Sequence, residues 1–358
     1  MLSIFIAFFS IVVLAALHEL GHFFIAKKCG VKVEEFGMGY PPRIFGKKIG
    51  ETVYSLNALP FGAFVKMEGE DNENDSDTSF YKQSIRNKIL ITLGGVISFW
   101  VIAIIIFSVI SYAGFESAVE DSDNSNLKDL KVRIVNVVKS SPAEDAGLQI
   151  GDTIKEMSFN EEVVTPRKIS EVQLFTKEHY GDTVNLIVGR GNKNIAKPLT
   201  IRSSFPANQG AMGVSLIRTA VKKYTWYSSI TQGVTRTWDG TIMVLDGYKT
   251  IALKALKGNS PEKGLIGPIG VIQIVANSQE FGTAYFLSFI ALISINLAVF
   301  NSLPIPLVDG GRVFFLVIEW IRKKPISQKI QEKIDFTGLT FLVSLLVWVM
   351  IKDIINLF

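Results

Sequence analysis

Apolar residues run almost unbroken through four stretches of the chain, at about residues 2–26, 88–113, 283–307 and 336–357. Each stretch is long enough to cross the hydrocarbon core of a bilayer as a helix, which takes about 20 residues. The pattern therefore predicts a polytopic α-helical membrane protein with about four transmembrane helices. The first stretch lacks the basic start of a cleaved signal peptide and is too long for one, so we expect it to be retained.

Basic residues are concentrated in the loops at one end of these stretches. They cluster after the first stretch, before the second, and between the third and fourth, where Arg322, Lys323 and Lys324 form the longest basic run. Loops rich in lysine and arginine stay in the cytoplasm, so we expect both termini and residues 114–282 to be extracytoplasmic.

The region between the second and third apolar stretches has a different pattern. A polar, acidic linker covers 116–129, and an alternation of apolar residues then begins at Val132. The string SPAEDAGLQIGDTI follows at 141–154, in which S-P-A starts a helix and A-G-L ends it. We predict strand, short helix, glycine-containing cap and second strand, within a small mixed α/β domain at 128–205.

Residues 206–282 carry aromatic and aliphatic residues among lysines and small residues, most clearly over 221–256. This composition suits amphipathic helices that lie along the outer membrane interface, and helices packed under the domain are the alternative. The chain thus divides into a first membrane half at 1–113, the domain at 128–205, this segment, and a second membrane half at 283–358.

The composition agrees with a membrane protein that has a sizeable part in water. Hydrophobic residues make up 48% of the 358 residues, the mean hydropathy is +0.31, and charged residues still make up 20%. The net charge of +4 is small and spread along the chain, which gives no support to nucleic-acid binding. The single cysteine, Cys29, excludes an intramolecular disulfide framework and a cysteine-type zinc site.

Residues 18–22, inside the first apolar stretch, read His-Glu-Leu-Gly-His. On a helix, positions four apart lie on one face, so His18 and His22 can converge on one Zn²⁺ ion. Glu19 is then a candidate general base for a water molecule beside the metal. The alternative is a pair of core histidines with ordinary hydrogen bonds, which is weakened because ionisable groups inside a membrane helix are costly and usually functional. The third histidine, His179, is interpreted as an ordinary surface or partly buried residue.

A third zinc ligand must come from elsewhere, since a zinc hydrolase uses three protein ligands and an open position. The third apolar stretch ends in NLAVFNSLPIPLVDGG at 296–311, a polar string with two prolines. Pro304 and Pro306 must interrupt the helix, and a broken backbone at membrane depth is tolerated where it is buried or lines a cavity. Asp309 is therefore expected to face an internal wet site, with capping of the next helix as the alternative.

Together, H-E-x-x-H in the first stretch and N-x-x-P-x-P-x-x-D-G in the third resemble the site-2 protease family of intramembrane zinc metalloproteases, peptidase family M50. The string at 141–154 looks like a bacterial protease-type PDZ domain, and one PDZ domain in this place is similar to the bacterial RseP type. The resemblance implies that the metal is zinc and assigns the following roles: ligands His18, His22 and Asp309; catalytic base Glu19; substrate binding by Asn301, with Asn296 as an additional candidate, in the string that contains Pro304 and Pro306.

Two shorter segments also match the family. Residues 53–69 look like its membrane-associated β-hairpin, whose edge strand could pair with an extended substrate, and 267–270 match a family loop. The second stretch departs from the family's G-P-x-x-N, because Gly94 is followed by Gly95 and Ser98 stands in place of the asparagine. The family also usually has leucine where this chain has Val308.

The resemblance implies an endopeptidase of a bacterial cytoplasmic membrane that cuts single-span membrane proteins near the cytoplasmic side. The substrates implied are anti-sigma factors or remnant signal peptides, trimmed beforehand by another protease, with the PDZ domain as a size filter. Two alternatives stay open: an inactive PDZ-bearing scaffold, and a membrane-anchored metallopeptidase that acts on soluble substrates.

Overall fold

The computed structural model describes residues 2–70, 75–123, 127–191, 193–206, 209–257, 267–278, 282–324 and 326–357. They form two compact units, Met1–Val109 with Ile230–Phe358, and Ile110–Ser229. The elements, in chain order, are α1 (Leu2–Lys28), β1 (Val33–Ile49), β2 (Thr52–Met67), α2 (Ile85–Ala113), β3 (Phe115–Ala118), β4 (Lys128–Val137), α3 (Pro142–Asp145), β5 (Thr153–Phe159), β6 (Glu162–Val164), α4 (Ile169–Glu178), β7 (Thr183–Arg190), β8 (Lys193–Thr200), β9 (Val214–Lys222), α5 (Trp226–Leu256), α6 (Pro268–Ser278), α7 (Thr283–Ser302), α8 (Asp309–Arg322) and α9 (Gln328–Leu357).

Four helices in the described part of the chain are long and apolar enough to cross a membrane: Ser3–Lys28, Ile85–Ala113, Thr283–Ser302 and Lys329–Ile351. They correspond to the four predicted stretches. The third is shorter than expected and ends at Ser302 instead of residue 307, because two prolines follow and cannot continue the helix.

The helices of the first unit pack through small residues. A Cβ atom added to Gly21 of α1 would lie 2.3 Å from the carbonyl oxygen of Gly94 in α2, so the two backbones are in direct contact. The Ser294 hydroxyl of α7 donates a 2.7 Å hydrogen bond to the Phe99 carbonyl oxygen of α2. Helix α2 therefore contacts both α1 and α7.

Helix α5 differs from the expected set of interfacial helices. It is one continuous helix of 31 residues that runs beside α2. The Trp100 indole of α2 donates to the Thr241 hydroxyl at 3.1 Å, and a Cβ atom on Gly233 would lie 2.6 Å from the Ile104 carbonyl oxygen. Small residues on one face of α5 permit this approach. The other face exposes aromatic side chains such as Trp226 and Trp238.

The hairpin of the first unit is longer than the 53–69 segment predicted from the sequence. Its first strand, β1, covers Val33–Ile49 and pairs with β2 over a register that runs from Val33 opposite Met67 to Ile49 opposite Thr52. Both strands bend, and Phe36 has two partners on β2, Val65 and Tyr54. Edge-to-face contact between Phe61 and Phe8 places the bend of β2 against α1.

The second unit contains a seven-stranded sheet with the order β3-β9-β4-β5-β7-β8, and β6 pairs with β5. The predicted strand, short helix and second strand are present as β4, α3 and β5. Ser141 caps α3 by accepting a hydrogen bond from the Glu144 amide. The sheet extends beyond 128–205, since β3 and β9 flank the predicted range and join it. Residues 214–222 are thus sheet and not part of an interfacial segment.

One side chain explains why the motif at 141–154 contains an aspartate at position 152. Asp152 is 1% exposed, and its carboxylate accepts hydrogen bonds from the Gln149 amide at 2.9 Å and from the Arg190 guanidinium at 2.7 and 2.8 Å. Arg190 also donates to the Gly147 carbonyl oxygen. The pair ties the turn after α3 to β7, because a buried carboxylate needs such partners.

Candidate active site

Helix α1 presents both motif histidines on one face. The two Nε2 atoms are 3.3 Å apart, as the spacing of four residues predicts. The Nδ1 atom of His22 lies 2.9 Å from the Ile91 carbonyl oxygen of α2 and donates to it, which leaves the Nε2 lone pair free to face the site. The ring of His18 stacks on Phe99 at 4.5 Å between centroids. Helix α2 thus fixes the orientation of both rings.

Asp309 reaches the histidines because the chain turns sharply before α8. Buried Gly310 and Gly311 permit this turn, since a Cβ atom on either would lie 2.3 Å or less from a carbonyl oxygen of the preceding loop, Leu303 or Ile305 respectively. Asp309 is the first residue of α8, so its carboxylate lies at the helix start.

The three candidate donor atoms form a nearly equilateral triangle. The Oδ2 atom of Asp309 lies 3.3 Å from Nε2 of His18 and 3.5 Å from Nε2 of His22, and the two nitrogens are 3.3 Å apart. A tetrahedral zinc ion with ligands at about 2.0–2.1 Å requires donors separated by about 3.3–3.4 Å. The triangle therefore fits three ligands of one zinc ion.

Two further observations support this fit. The Asp309 Oδ2 atom is one of the buried polar atoms in the described residues that have no conventional hydrogen-bond partner. A buried carboxylate oxygen that faces two imidazole nitrogens is what a metal site requires. The Glu19 carboxylate lies beside them, since ligand atoms of His18, Glu19 and His22 are all within 4.8 Å of one another.

These side chains line a cavity of about 270 Å³. The cavity is also lined by part of the hairpin at 63–67 and by Arg312 of α8. Asn301, at the end of α7, also lines it, and the Asn301 amide donates to the Leu297 carbonyl oxygen at 2.9 Å. The cavity therefore combines the candidate metal centre, a carboxylate and a β-strand.

The remaining predicted site residues lie apart from this cavity. Asn296 does not line it, and its amide oxygen accepts a 2.9 Å hydrogen bond from the Tyr248 hydroxyl of α5. Pro304 and Pro306 do not line it either, and Pro306 packs against Gly338 of α9. Asn301 thus lies at the cavity, whereas the two prolines follow the end of α7 and prevent the helix from continuing.

Sequence reasoning missed the role of the glycines around the histidines. A Cβ atom on Gly95 would lie 2.2 Å from Nε2 of His22, so this residue stands directly against the candidate ligands. The available signal was Gly95, which stands where the family pattern has proline. This position lies where α2 contacts the HExxH face of α1, and the sequence alone does not show that contact.

We expect Gly21→Val to damage the site through this helix contact. The added side chain would collide with the Gly94 carbonyl oxygen and separate α1 from α2. Overpacking of this kind costs about 1–3 kcal/mol of stability, and it would displace the adjacent His22. Thermal unfolding and zinc content of the purified protein would measure both effects.

Gly247→Val is the matched control, because Gly247 is also helical and a Cβ atom there meets nothing within 4 Å. Equal melting temperature and zinc content in both variants would contradict the proposed backbone contact.

His179 and Cys29 take no part in the cavity. His179 is 9% exposed in the second unit, between the carboxylates of Glu162 and Asp182 at 3.3 and 3.4 Å. It is thus more buried than the surface or partly buried position expected from the sequence, and it lies outside the candidate site.

A family model and several named relatives match this chain over most of its length. Residues 5–345 match the model of peptidase family M50. A Clostridium perfringens protein named a candidate zinc metalloprotease is 34% identical over 344 residues, covering 96% of this chain and 95% of its own length. A similarly named Nostoc protein is 30% identical over 98% of this chain and 96% of its own length. The Haemophilus influenzae protein named regulator of sigma E protease is 26% identical, with 97% of both chains covered.

The family match spans nearly the whole chain, and the triangle of donors at the HExxH helix fits the metal that the relatives' names specify. The chain therefore belongs to peptidase family M50, the site-2 protease family, and is a zinc-dependent metalloendopeptidase of the membrane.

Proposed function

We propose that this protein is an intramembrane endopeptidase that cuts the transmembrane segment of single-span membrane proteins near the cytoplasmic side. The observation that carries the proposal is the place of HExxH in an apolar 27-residue helix, with Asp309 brought to both histidines. A metal site in such a helix acts on a peptide bond that also lies at membrane depth.

We assign the zinc ligands to His18, His22 and Asp309. Zinc, when bound there, would polarise the scissile carbonyl group and make water more acidic. Glu19 takes the proton from the attacking water and returns it to the leaving amine. The carbonyl oxygen of Ile91 keeps His22 in the tautomer that ligates the metal.

A helical substrate must be extended before its peptide bond can be attacked. Four residues of β2, Ala63, Phe64, Val65 and Met67, line the cavity, and the β1 partners of this part of the strand occupy one of its sides. The other side can add a substrate strand through backbone hydrogen bonds. Asn301 lines the same cavity and offers its amide to the unwound substrate, while Asn296 is held by Tyr248. We therefore retain Asn301 as a substrate-binding candidate, and Pro304 and Pro306 as the residues that end α7 before the site.

The proposed orientation follows the basic loops, which lie beside the C-terminal end of α1 and the start of α2. Both termini and the sheet unit would then be extracytoplasmic in a bacterial cytoplasmic membrane. The PDZ-type motif at 141–154 supports a PDZ domain in this unit, acting as a size filter. Labelling Ser140→Cys with an impermeant reagent on intact cells tests this orientation, and reaction only after lysis would overturn it.

The substrate class rests on one relative's name and on the site. The Haemophilus influenzae relative is named as a regulator of sigma E, which supports an anti-sigma factor, and remnant signal peptides have the same single-span form. Such substrates would be trimmed first by another protease.

Purified protein in liposomes separates this proposal from a peptidase of soluble substrates. We expect cleavage of a single-span model substrate and no cleavage of an unfolded soluble protein that contains the same peptide sequence. The reverse preference would establish the soluble-substrate alternative, and cleavage of neither, with zinc bound, would favour the inactive scaffold.

A further inference from the structure

A second cavity of about 760 Å³ lies beside the first in the same unit. It is lined by residues at the end of the hairpin, before and at the start of α2, along α8, and around the start of α9. The two cavities share three lining residues, Glu70, Thr92 and Arg312. The volume falls within the range of about 300–1,000 Å³ that is common for ligand sites.

Two of the three shared lining residues form an ion pair. The Arg312 guanidinium of α8 donates to the Glu70 carboxylate at 2.5 Å, and Glu70 is only 14% exposed. Glu70 lies three residues after the end of β2 at Met67. A peptide laid along 63–67 would therefore run directly to this pair and into the second cavity.

The lining combines charged and apolar side chains. Lys88, Arg312 and Lys329 face it together with Glu70 and Glu319, beside apolar residues such as Phe80, Phe315 and Leu316. An apolar helix would remove the charged groups from water, which is costly even for paired charges. An extended polar segment supplies backbone and side-chain partners to them.

The residues of α2 show in which direction the second cavity extends from the metal centre. The Ile91 carbonyl oxygen contacts His22, Thr92 lines both cavities, and Lys88 lines only the second. Lys88 lies about one helical turn, or about 5.4 Å, from Thr92 in the direction of the start of α2. The second cavity thus extends from the metal centre toward the basic loops.

We propose that the second cavity is a specificity subsite that binds the polar cytoplasmic flank of the substrate, next to the transmembrane segment being cut. This inference rests on the proposed function. Binding in the subsite anchors the substrate so that its extended part lies along residues 63–67. The polar flank then passes the Glu70–Arg312 pair, which lines both cavities, and enters the second cavity.

Two model substrates test the subsite, one with six polar residues after the cytoplasmic end of its apolar segment and one without them. We expect the wild type to cleave the first at least about tenfold faster, which corresponds to about 1.4 kcal/mol. Ser327→Trp, at an exposed position on the cavity lining, should abolish this preference and leave cleavage of the flank-free substrate unchanged.

Lys333→Trp is the matched control, because Lys333 is exposed on α9, the helix that begins directly after Ser327, and it lines neither cavity. It should keep the wild-type preference. Equal effects of Ser327→Trp on both substrates, or a wild-type enzyme that cleaves both at one rate, would overturn the subsite while leaving the proposed function intact. Failure of the wild type to cleave either substrate would instead count against the proposed function.

A cross-linking measurement gives an independent readout. In a Cys29→Ala, Glu19→Gln background, Ser327→Cys should form a disulfide with a cysteine placed in the substrate flank and not with one placed at its extracytoplasmic end. Cross-linking to the extracytoplasmic cysteine alone would overturn the proposed direction.

Discussion

Glu19→Gln should reduce cleavage of a single-span substrate by about 10²–10⁴-fold, the range for loss of a positioned general base. Glutamine has nearly the same volume as glutamate, but its amide cannot take a proton from the attacking water. The histidines and Asp309 are unchanged in this variant, and their donor triangle does not include Glu19. We therefore expect zinc content and melting temperature to stay at wild-type values.

The measurement is the initial rate in liposomes, together with zinc content by elemental analysis. Glu51→Gln is the matched control, because Glu51 is exposed at the turn between β1 and β2 and should retain full activity. Full activity of Glu19→Gln would remove Glu19 from the mechanism. Loss of both zinc and activity would instead make it a ligand.

Asp309→Asn should lower bound zinc and activity together. Its Oδ2 atom is the third corner of the donor triangle, at 3.3 and 3.5 Å from the two histidine nitrogens. A neutral amide oxygen is a poorer ligand than a carboxylate, and it also loses its attraction to the cation. Changes in the partners of zinc ligands already cost about 10–100-fold in affinity or activity, so we expect loss of a direct ligand to exceed that range.

Zinc affinity is measured by titration with a competing chelator, and the cleavage rate is measured at each zinc concentration. Excess zinc should restore part of the activity of Asp309→Asn. Asp77→Asn is the matched control, since Asp77 is exposed and pairs with Lys82 away from both cavities. Unchanged zinc affinity in Asp309→Asn would show that the aspartate only caps α8.

Features that depend on neighbours along the chain could be predicted. The spacing of His18 and His22 fixes a common helix face, and the length of each apolar stretch fixes a span. Pro304 and Pro306 indicate where α7 must end, although they end it at Ser302, earlier than expected. The motif at 141–154 predicts a cap, a short helix and two strands for the same reason, since each depends on a few adjacent residues.

Features that depend on distant partners needed the folded chain. The sequence at 53–69 suggested a hairpin, yet its partner strand, Val33–Ile49, is mostly exposed and contains two prolines. Likewise, 214–222 joins the sheet through pairing with β4, about 80 positions earlier in the chain. A strand can pair with any of several segments that are distant in the chain, and its amino-acid composition does not specify which one.

The two asparagines illustrate the same limit within the site. Asn301 was the main substrate-binding candidate from the sequence and Asn296 an additional one, but five helical positions turn them to different faces. Asn301 lines the cavity, whereas Asn296 bonds to Tyr248 of α5. This distinction arises because α5 packs against α2 and α7, which its mixed composition did not indicate.

The sequence by itself determined the chemistry: a zinc-binding face and a carboxylate in an apolar helix, a proline-broken string with Asp309, and four apolar spans. These are local properties of spacing and hydrophobicity. Only the tertiary structure decided that Asp309 meets both histidines, that Gly21 and Gly94 let α1 and α2 touch, and that the Glu70–Arg312 pair lines two neighbouring cavities. Each of these depends on packing between segments far apart in the chain, where close backbone contact and charge pairing select one arrangement.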